Sequence, residues 1–242
     1  MTKIFSTIQS ISVEDAETWE NPLFLTFDID WAHDEVIEDC VNLVEEAEVS
    51  AAWFVTHETL LLSHLRRNSN FELGIHPNFN FLLQGDQKNG GNAEEIIDKL
   101  LELVPEAKSV RSHSMTQNSN LLDLFQRKGI THDCNHFIPE QYVKDLKPWH
   151  LWNSMIKVPY FWEDDIACLY SKNTPVRELA LRPGLKCFDF HPIHVFLNTE
   201  NLDRYERTRP LHQNPEKLIE NRYQGYGTRS RLMELLELGN HQ

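Results

Sequence analysis

At 242 residues, the chain suits one α/β domain of barrel size or two small domains, and it can bury a sizeable core. Hydrophobic residues make up 40% and charged residues 25%, which excludes extensive disorder. The formal net charge of −14 argues against a nucleic-acid partner and against docking on anionic lipid, and describes a solvated acidic surface.

The first twenty residues contain no long apolar run and lack the hydrophobic stretch of a signal peptide. No later segment approaches the roughly 18 apolar residues of a membrane span, so a cytoplasmic chain without an integral membrane segment is expected. Leu23–Phe27 is apolar throughout, the mark of a strand buried on both faces, and it stops at Asp28 and Asp30. Residues 34–48 set Val36, Ile37, Cys40, Val41, Leu43, Val44 and Ala47 near helical spacing, with acids opposite. Residues 51–56 form a second strand, 59–67 a helix and 71–75 a third strand. Residues 77–91, ending in Asn89-Gly90-Gly91, read as a loop.

Asn92 with Glu95 three residues on is an N-cap signature for a helix running to about Val104. A strand at 108–110 leads into Arg111-Ser112-His113. A helix over 120–128 is stopped by Gly129. Residues 130–133, 155–162 and 185–190 read as further strands, and 229–238 as a late helix. The alternation of strands and helices implies parallel strands joined by crossovers. A (β/α) barrel, complete or distorted, is the first expectation and a doubly wound open sheet the second. No repeat, low-complexity tract or linker divides the chain, so one domain over 1–242 is expected. Residues 197–242 would serve as a lid, a dimer arm or a last barrel helix.

In both architectures active sites gather at the C-terminal ends of the strands. Those ends carry Asp28 and Asp30, His57, His76, Arg111 and His113, then His191 and His194. Asp28 and Asp30, two residues apart, point to one side of an extended strand. They would be a metal ligand and a base, or a pair of solvated or helix-capping acids. His76 would be a zinc or iron ligand through neutral imidazole, or a satisfied core histidine. Asn80, four residues on, offers an amide oxygen, a poorer zinc ligand. Arg111 would hold a carboxylate ionised and oriented, or form a surface ion pair. His191 would protonate a leaving amine, or be a loop histidine. Trp162 with Asp164 and Asp165 would line a sugar site, or close a charged turn. Cys134-Asn135-His136 reads as structural. The four cysteines, Cys40, Cys134, Cys168 and Cys187, form no CxxC pair, which argues against a zinc-thiolate centre and suits a reducing compartment.

Taken in order, these segments resemble the polysaccharide deacetylase (NodB-type, carbohydrate esterase family 4-like) superfamily. Thr26-Phe27-Asp28-Ile29-Asp30 is similar to its TFDDG or FDxD segment. Ala52-Trp53-Phe54-Val55 is similar to its ATFFV, and Phe71-Glu72-Leu73-Gly74-Ile75-His76 to its HEIGxH. Residues 129–135 resemble its GxxYDSS. Val158-Pro159-Tyr160-Phe161-Trp162 with Asp164-Asp165 resembles its IPVxW…DD, and Phe188-Asp189-Phe190-His191-Pro192 its terminal HP. The resemblance spans about residues 22–196 and rests on the order of the motifs rather than on any one. It is nearest to the branch found in lipopolysaccharide O-antigen gene clusters, the WbmS-like deacetylases.

The resemblance implies a distorted (β/α) barrel and metal-dependent removal of an acetyl group from an N-acetylated sugar, nucleotide- or lipid-linked. It implies Asp28 as base, Asp30 and His76 as ligands of a divalent metal, zinc foremost, Arg111 as orienter of Asp28 and His191 as acid. Asp164 resembles the acidic partner of the arginine or of the substrate. The departure is Asn80, where the family has its second histidine. Asn80 or water would complete the site, or His113 would supply the missing imidazole, or metal binding would be lost. The rival readings are a hydrolase of a non-sugar amide, a carbohydrate-binding homologue without activity, and a structural partner in glycan assembly.

Overall fold

The apolar run at 23–27 does become a strand buried on both faces. In a computed structural model describing residues 4–170 and 174–239, all six residues of Leu23–Asp28 (β2) are buried. A short strand, Phe5–Ser6 (β1), lies beside the start of β2, and Ala51–Val55 (β3) beside its end. Phe71–Ile75 (β4), Ser109–Val110 (β5) and His132–Asp133 (β6) continue the sheet in parallel. Trp149–His150 (β7) pairs antiparallel with Ile156–Lys157 (β8), and β8 pairs parallel with β6. Trp162–Glu163 (β9) and Lys186–Phe190 (β10) complete the set, with β10 parallel to both β9 and β2.

The hydrogen-bonded order is β7-β8-β6-β5-β4-β3-β2-β10-β9. Its last strand is covalently continuous with its second, because β9 and β8 belong to one segment, 156–163. That segment pairs with β6 at its start and with β10 at its end. The sheet therefore curls on itself as a distorted (β/α) barrel. The single strand expected over 155–162 is split in two because Pro159, which has no N–H, falls in its middle.

Helices cross between the strands. Asp34–Glu46 (α1) buries Val36, Ile37, Cys40, Val41 and Val44, the stripe its spacing implies. Leu62–Arg67 (α2) leads to β4 and starts three residues later than its sequence suggests. Residues 77–91 include one turn of helix, Asn80–Leu83 (α3), not foreseen in the loop reading. Ala93–Leu103 (α4) is capped by Asn92, whose side chain accepts the Glu95 N–H at 3.0 Å. Ser119–Arg127 (α5) leads to β6, and Asp164–Leu169 (α6) and Val176–Ala180 (α7) lead to β10.

Pro192–Leu197 (α8) follows β10 and is wholly buried. Leu202–Thr208 (α9), Pro215–Ile219 (α10) and Thr228–Leu236 (α11) complete the chain, with α11 packed on α7 and α8. Among the described residues no helix is long and apolar enough to cross a membrane. All four cysteines are buried and unpaired. Burial pushes every one of their thiols up, Cys168 and Cys187 to about 12, so they are inert.

Two close approaches place the parts of the site. The Phe27 and Trp53 rings stack at 4.2 Å, locking β2 against β3. At Gly74 a β-carbon would come within 2.6 Å of Ser109 Oγ and 2.7 Å of the Phe54 ring, so only glycine lets β4 pass between them.

Candidate active site

The C-terminal ends of β2, β4, β5 and β10 deliver their polar residues to one cleft. Asp28 ends β2, and the chain then turns through Asp30 and Trp31, both left-handed (φ 38° and 54°). Asp30 thereby swings its carboxylate over the mouth of the barrel. His76 follows β4, its N–H bonded to the Val55 carbonyl at 2.8 Å. His113 sits in a tight turn just after Arg111.

Asp30, His76 and His113 form a triangle of donor atoms. Asp30 Oδ1 lies 3.2 Å from His76 Nε2 and 3.3 Å from His113 Nδ1, and the two ring nitrogens are 3.3 Å apart. A tetrahedral ion with bonds of 2.0–2.1 Å has ligand–ligand edges of about 3.3–3.4 Å, so the triangle matches one face of such a shell. Asp30 Oδ1 is buried without a hydrogen-bond partner. A buried carboxylate oxygen facing two imidazole nitrogens is an arrangement that a cation satisfies. His76 turns its other nitrogen, Nδ1, toward Asp28 Oδ2 at 3.4 Å, as metal-bound histidines turn theirs to a carboxylate. Two histidines and one carboxylate leave a fourth position open, so the donor set fits zinc or a similar divalent ion. Burial would raise the Asp30 carboxyl, but contacts with His113 and His76 and the charge of His191 hold it well below the usual range.

Asn80 stands outside this cluster. Its amide donates to Ser114 Oγ at 3.0 Å, and it does not line the cleft. The helical turn of α3 carries it aside, while the turn after β5 brings His113 in.

Arg111 crosses the barrel interior between the rings of Phe54 and Tyr160, at 4.7 and 4.4 Å. Its Nη1 donates to Asp28 Oδ1 at 3.0 Å and also to Asp189 Oδ1. Burial works against its charge, but Asp189 and Asp28 raise its pKa well above the ordinary value, so it stays a cation. Asp189 is wholly buried and also accepts from Thr26 Oγ1 at 2.9 Å. Burial pushes its carboxyl up, to about 8, against the pull of Arg111 and with help from Asp28. The sequence reading missed Asp189. A charge inside the apolar run Lys186–Phe190 was the available signal, because a buried acid in a parallel strand must be paired.

His191 caps β10. Its Nδ1 lies 2.7 Å from Asp164 Oδ1, and its backbone N–H donates to Asp164 Oδ2 at 2.8 Å. This leaves Nε2 pointing into the cleft, 3.7 Å from Asp30 Oδ2. Burial lowers its pKa, but the Asp164 carboxylate outweighs that and holds it well above the ordinary value. Asp164 is thus not the partner of Arg111, and it does not line the cleft. It is fully buried with both oxygens engaged by His191, and Asp189 takes the place at the arginine. Trp162 is likewise withdrawn from the cleft, packed 4.8 Å from the Phe190 ring and 6.0 Å from that of Phe188.

The cleft has two connected parts. The inner one, about 180 Å³, is lined by Asp28, Asp30, His76, Arg111, His113 and His191, with Tyr160 and Glu163 as a wall. Burial and the nearby Asp165 push the Glu163 carboxyl well above the usual range. The outer part, about 440 Å³, shares Asp30, His113, Asp165 and His191 and is walled by Trp31, Tyr205, Arg209 and Gln213. His194 also lines it, stacked 4.8 Å from Tyr205, while His57 bonds Thr56 Oγ1 at 2.8 Å and takes no part.

The curled, mostly parallel barrel, with polar residues gathered at the C-terminal ends of its strands, is of the polysaccharide deacetylase class. Within that class the chain belongs to the WbmS-like polysaccharide deacetylase family, whose model matches residues 25–209. The chain is 45% identical to a crystal structure from Bordetella bronchiseptica described as a polysaccharide deacetylase involved in O-antigen biosynthesis. That match covers 98% of each chain with a TM-score of 0.92. A polysaccharide deacetylase structure from Mycobacterium smegmatis shares the fold at 15% identity and TM-score 0.50, over 100% of this chain and 97% of that one. The 4-alpha-glucanotransferase of Thermococcus litoralis shares it at 11% identity and TM-score 0.51, over 91% of this chain and 36% of that one. No curated protein matches the sequence.

Proposed function

We propose that this protein is a metal-dependent N-deacetylase of an amino sugar, acting on a nucleotide- or lipid-linked building block of a surface polysaccharide. The observation that carries the reading is the Asp30–His76–His113 triangle with Asp28 and His191 on either side of it. The description of the Bordetella bronchiseptica relative supports the O-antigen setting.

Asp30, His76 and His113 would hold the ion. When bound, zinc or a similar metal supplies a Lewis acid for the acetamide carbonyl and for water. Asp28, oriented by Arg111, accepts the proton of the attacking water. The water oxygen adds to the acetyl carbon and the C–N bond breaks. His191, kept protonated by Asp164, gives its Nε2 proton to the departing amine, and acetate is released. Trp31 and Tyr205 offer aromatic surface for the sugar ring, and Asp165, Arg209 and Gln213 offer partners for its hydroxyls.

The test is metal content of the purified protein together with acetate release from N-acetylated sugar nucleotides and lipid-linked sugars. Asp28→Asn and His191→Ala should each lower turnover by roughly 10²–10⁴-fold, the usual worth of a positioned acid or base. Turnover within a few-fold of the parent in either variant would overturn the role given to that residue.

A further inference from the structure

The turn that carries His113 has a conformation that its residues do not favour. Ser114 and Met115, directly after His113, are both left-handed (φ 57° and 51°), and neither is glycine. Two such residues in a row are strained and persist only where the surroundings enforce them. The His113 N–H is tied to the Pro77 carbonyl at 3.0 Å, and Asn80 reaches Ser114 Oγ on the exposed side.

The buried side is held more firmly. The Ser112 N–H donates to Asn135 Oδ1 at 2.6 Å. Asn135 in turn donates to Asp133 Oδ1, from its side chain at 2.7 Å and from its backbone at 3.0 Å. Asp133 Oδ2 takes the Lys157 ammonium, which also donates to Gln117 Oε1 at 2.7 Å. Gln117 closes the circuit by donating to the Asn135 carbonyl. Asn135 and Asp133 are completely buried and Lys157 is 3% exposed, and none of the three lines the cleft. A buried ion pair is seldom a net source of stability, because desolvation offsets much of its attraction. Here its visible effect is to fix an amide that grips the backbone one residue before His113.

We propose that Asn135, backed by Asp133 and Lys157, is the positioning residue for His113, and that metal affinity depends on this circuit although no member of it touches the ion. The inference rests on the metal reading above, and the experiment separates the two.

Zinc and cobalt(II) affinities are measured by calorimetry, with the cobalt absorption spectrum, for the parent chain, His113→Ala, Asn135→Ala and Gln117→Ala. The parent should bind one ion and His113→Ala should lose most of that affinity. A parent that binds none, or a His113→Ala variant that binds as well as the parent, sinks the metal reading itself. Asn135→Ala, folded by circular dichroism, should bind roughly 10–100-fold more weakly, the usual effect of removing an outer-shell partner. Its cobalt spectrum should move toward that of His113→Ala. If Asn135→Ala binds within twofold of the parent with an unchanged spectrum while His113→Ala does not, the positioning role is wrong and the metal reading stands. Should Asn135→Ala fail to fold, Gln117→Ala decides, because it leaves the Asp133–Lys157 pair in place. A several-fold loss supports the circuit, and parental affinity refutes it.

Discussion

Arg111 places one guanidinium between two carboxylates that would otherwise repel each other inside the barrel. Its substitution separates charge from packing. Arg111→Met fills much of the same space between Phe54 and Tyr160 but leaves Asp28 and Asp189 unpaired, at a cost of about 3–5 kcal/mol near neutral pH. Without the cation the Asp189 carboxyl, already raised by burial, would titrate higher still in the folded chain. The stability tied to that carboxyl would then be greatest below the unfolded value of about 3.9 and would fall as pH rises through the folded one. Urea midpoints of Arg111→Met should therefore rise relative to the parent as the pH is lowered. Parallel profiles would mean that the Asp189 carboxyl is not the source of the penalty.

His191 shows the opposite coupling of charge and partner. Its pKa is raised by Asp164, so the stability from this pair is complete below the unfolded value of about 6.5 and fades as pH rises through the folded one. In the proposed mechanism the same shift keeps His191 protonated to higher pH. Asp164→Asn should move the alkaline limb of the kcat/KM profile to lower pH, read from acetate release across a buffer series. A limb that stays in place would take the proton donor's role away from His191. Asp28, Asp30, His76, Arg111 and His191 were legible because each ends or follows a short apolar strand. Asp189 was hidden inside such a run, and the pairing of Asp164 with His191 depends on how α6 leaves β9. Asn135 read only as structural, since the fold rather than its sequence neighbours decides what a buried amide grips.

Among elements, the long runs were readable nearly to their ends, whereas short strands were placed without their true bounds and β1, β7 and α3 were not seen. β2, β3, β4 and β10 were visible as continuous apolar stretches, and α1 and α4 by their period and caps. β5, β6 and β8 are two residues each, so the strands expected over 108–110, 130–133 and 155–162 were placed correctly but drawn too long. The C-terminal helices had no legible role, and burial now supplies one. Leu232, Leu235 and Leu236 of α11 are 0%, 0% and 5% exposed. Asp39 of α1 binds both Arg222 and Arg229 across the same boundary. Three buried leucines contribute about 5–9 kcal/mol, comparable to the whole stability of an ordinary domain. A chain ending at residue 227 should therefore be aggregated or unfolded by size exclusion and circular dichroism. A soluble, cooperatively folded product would return this segment to the status of a lid or dimer arm.

At the level of the whole molecule, the ring closes through pairs far apart in sequence. β2 at residues 23–28 is bonded to β10 at residues 186–190, and β9 joins only when β10 is present. Such remote parallel pairings are slow to form. On the ribosome, one edge of β2 must wait for more than half the chain to be made, with its N–H and C=O groups unsatisfied and open to other strands. The proposed metal ligands, by contrast, all lie between residues 30 and 113 and emerge early. Birth order thus divides the centre in two. If the proposed roles hold, a nascent chain would carry its cation-binding half well before it carries His191, the proposed proton donor, and it could bind an ion long before it could turn over a sugar.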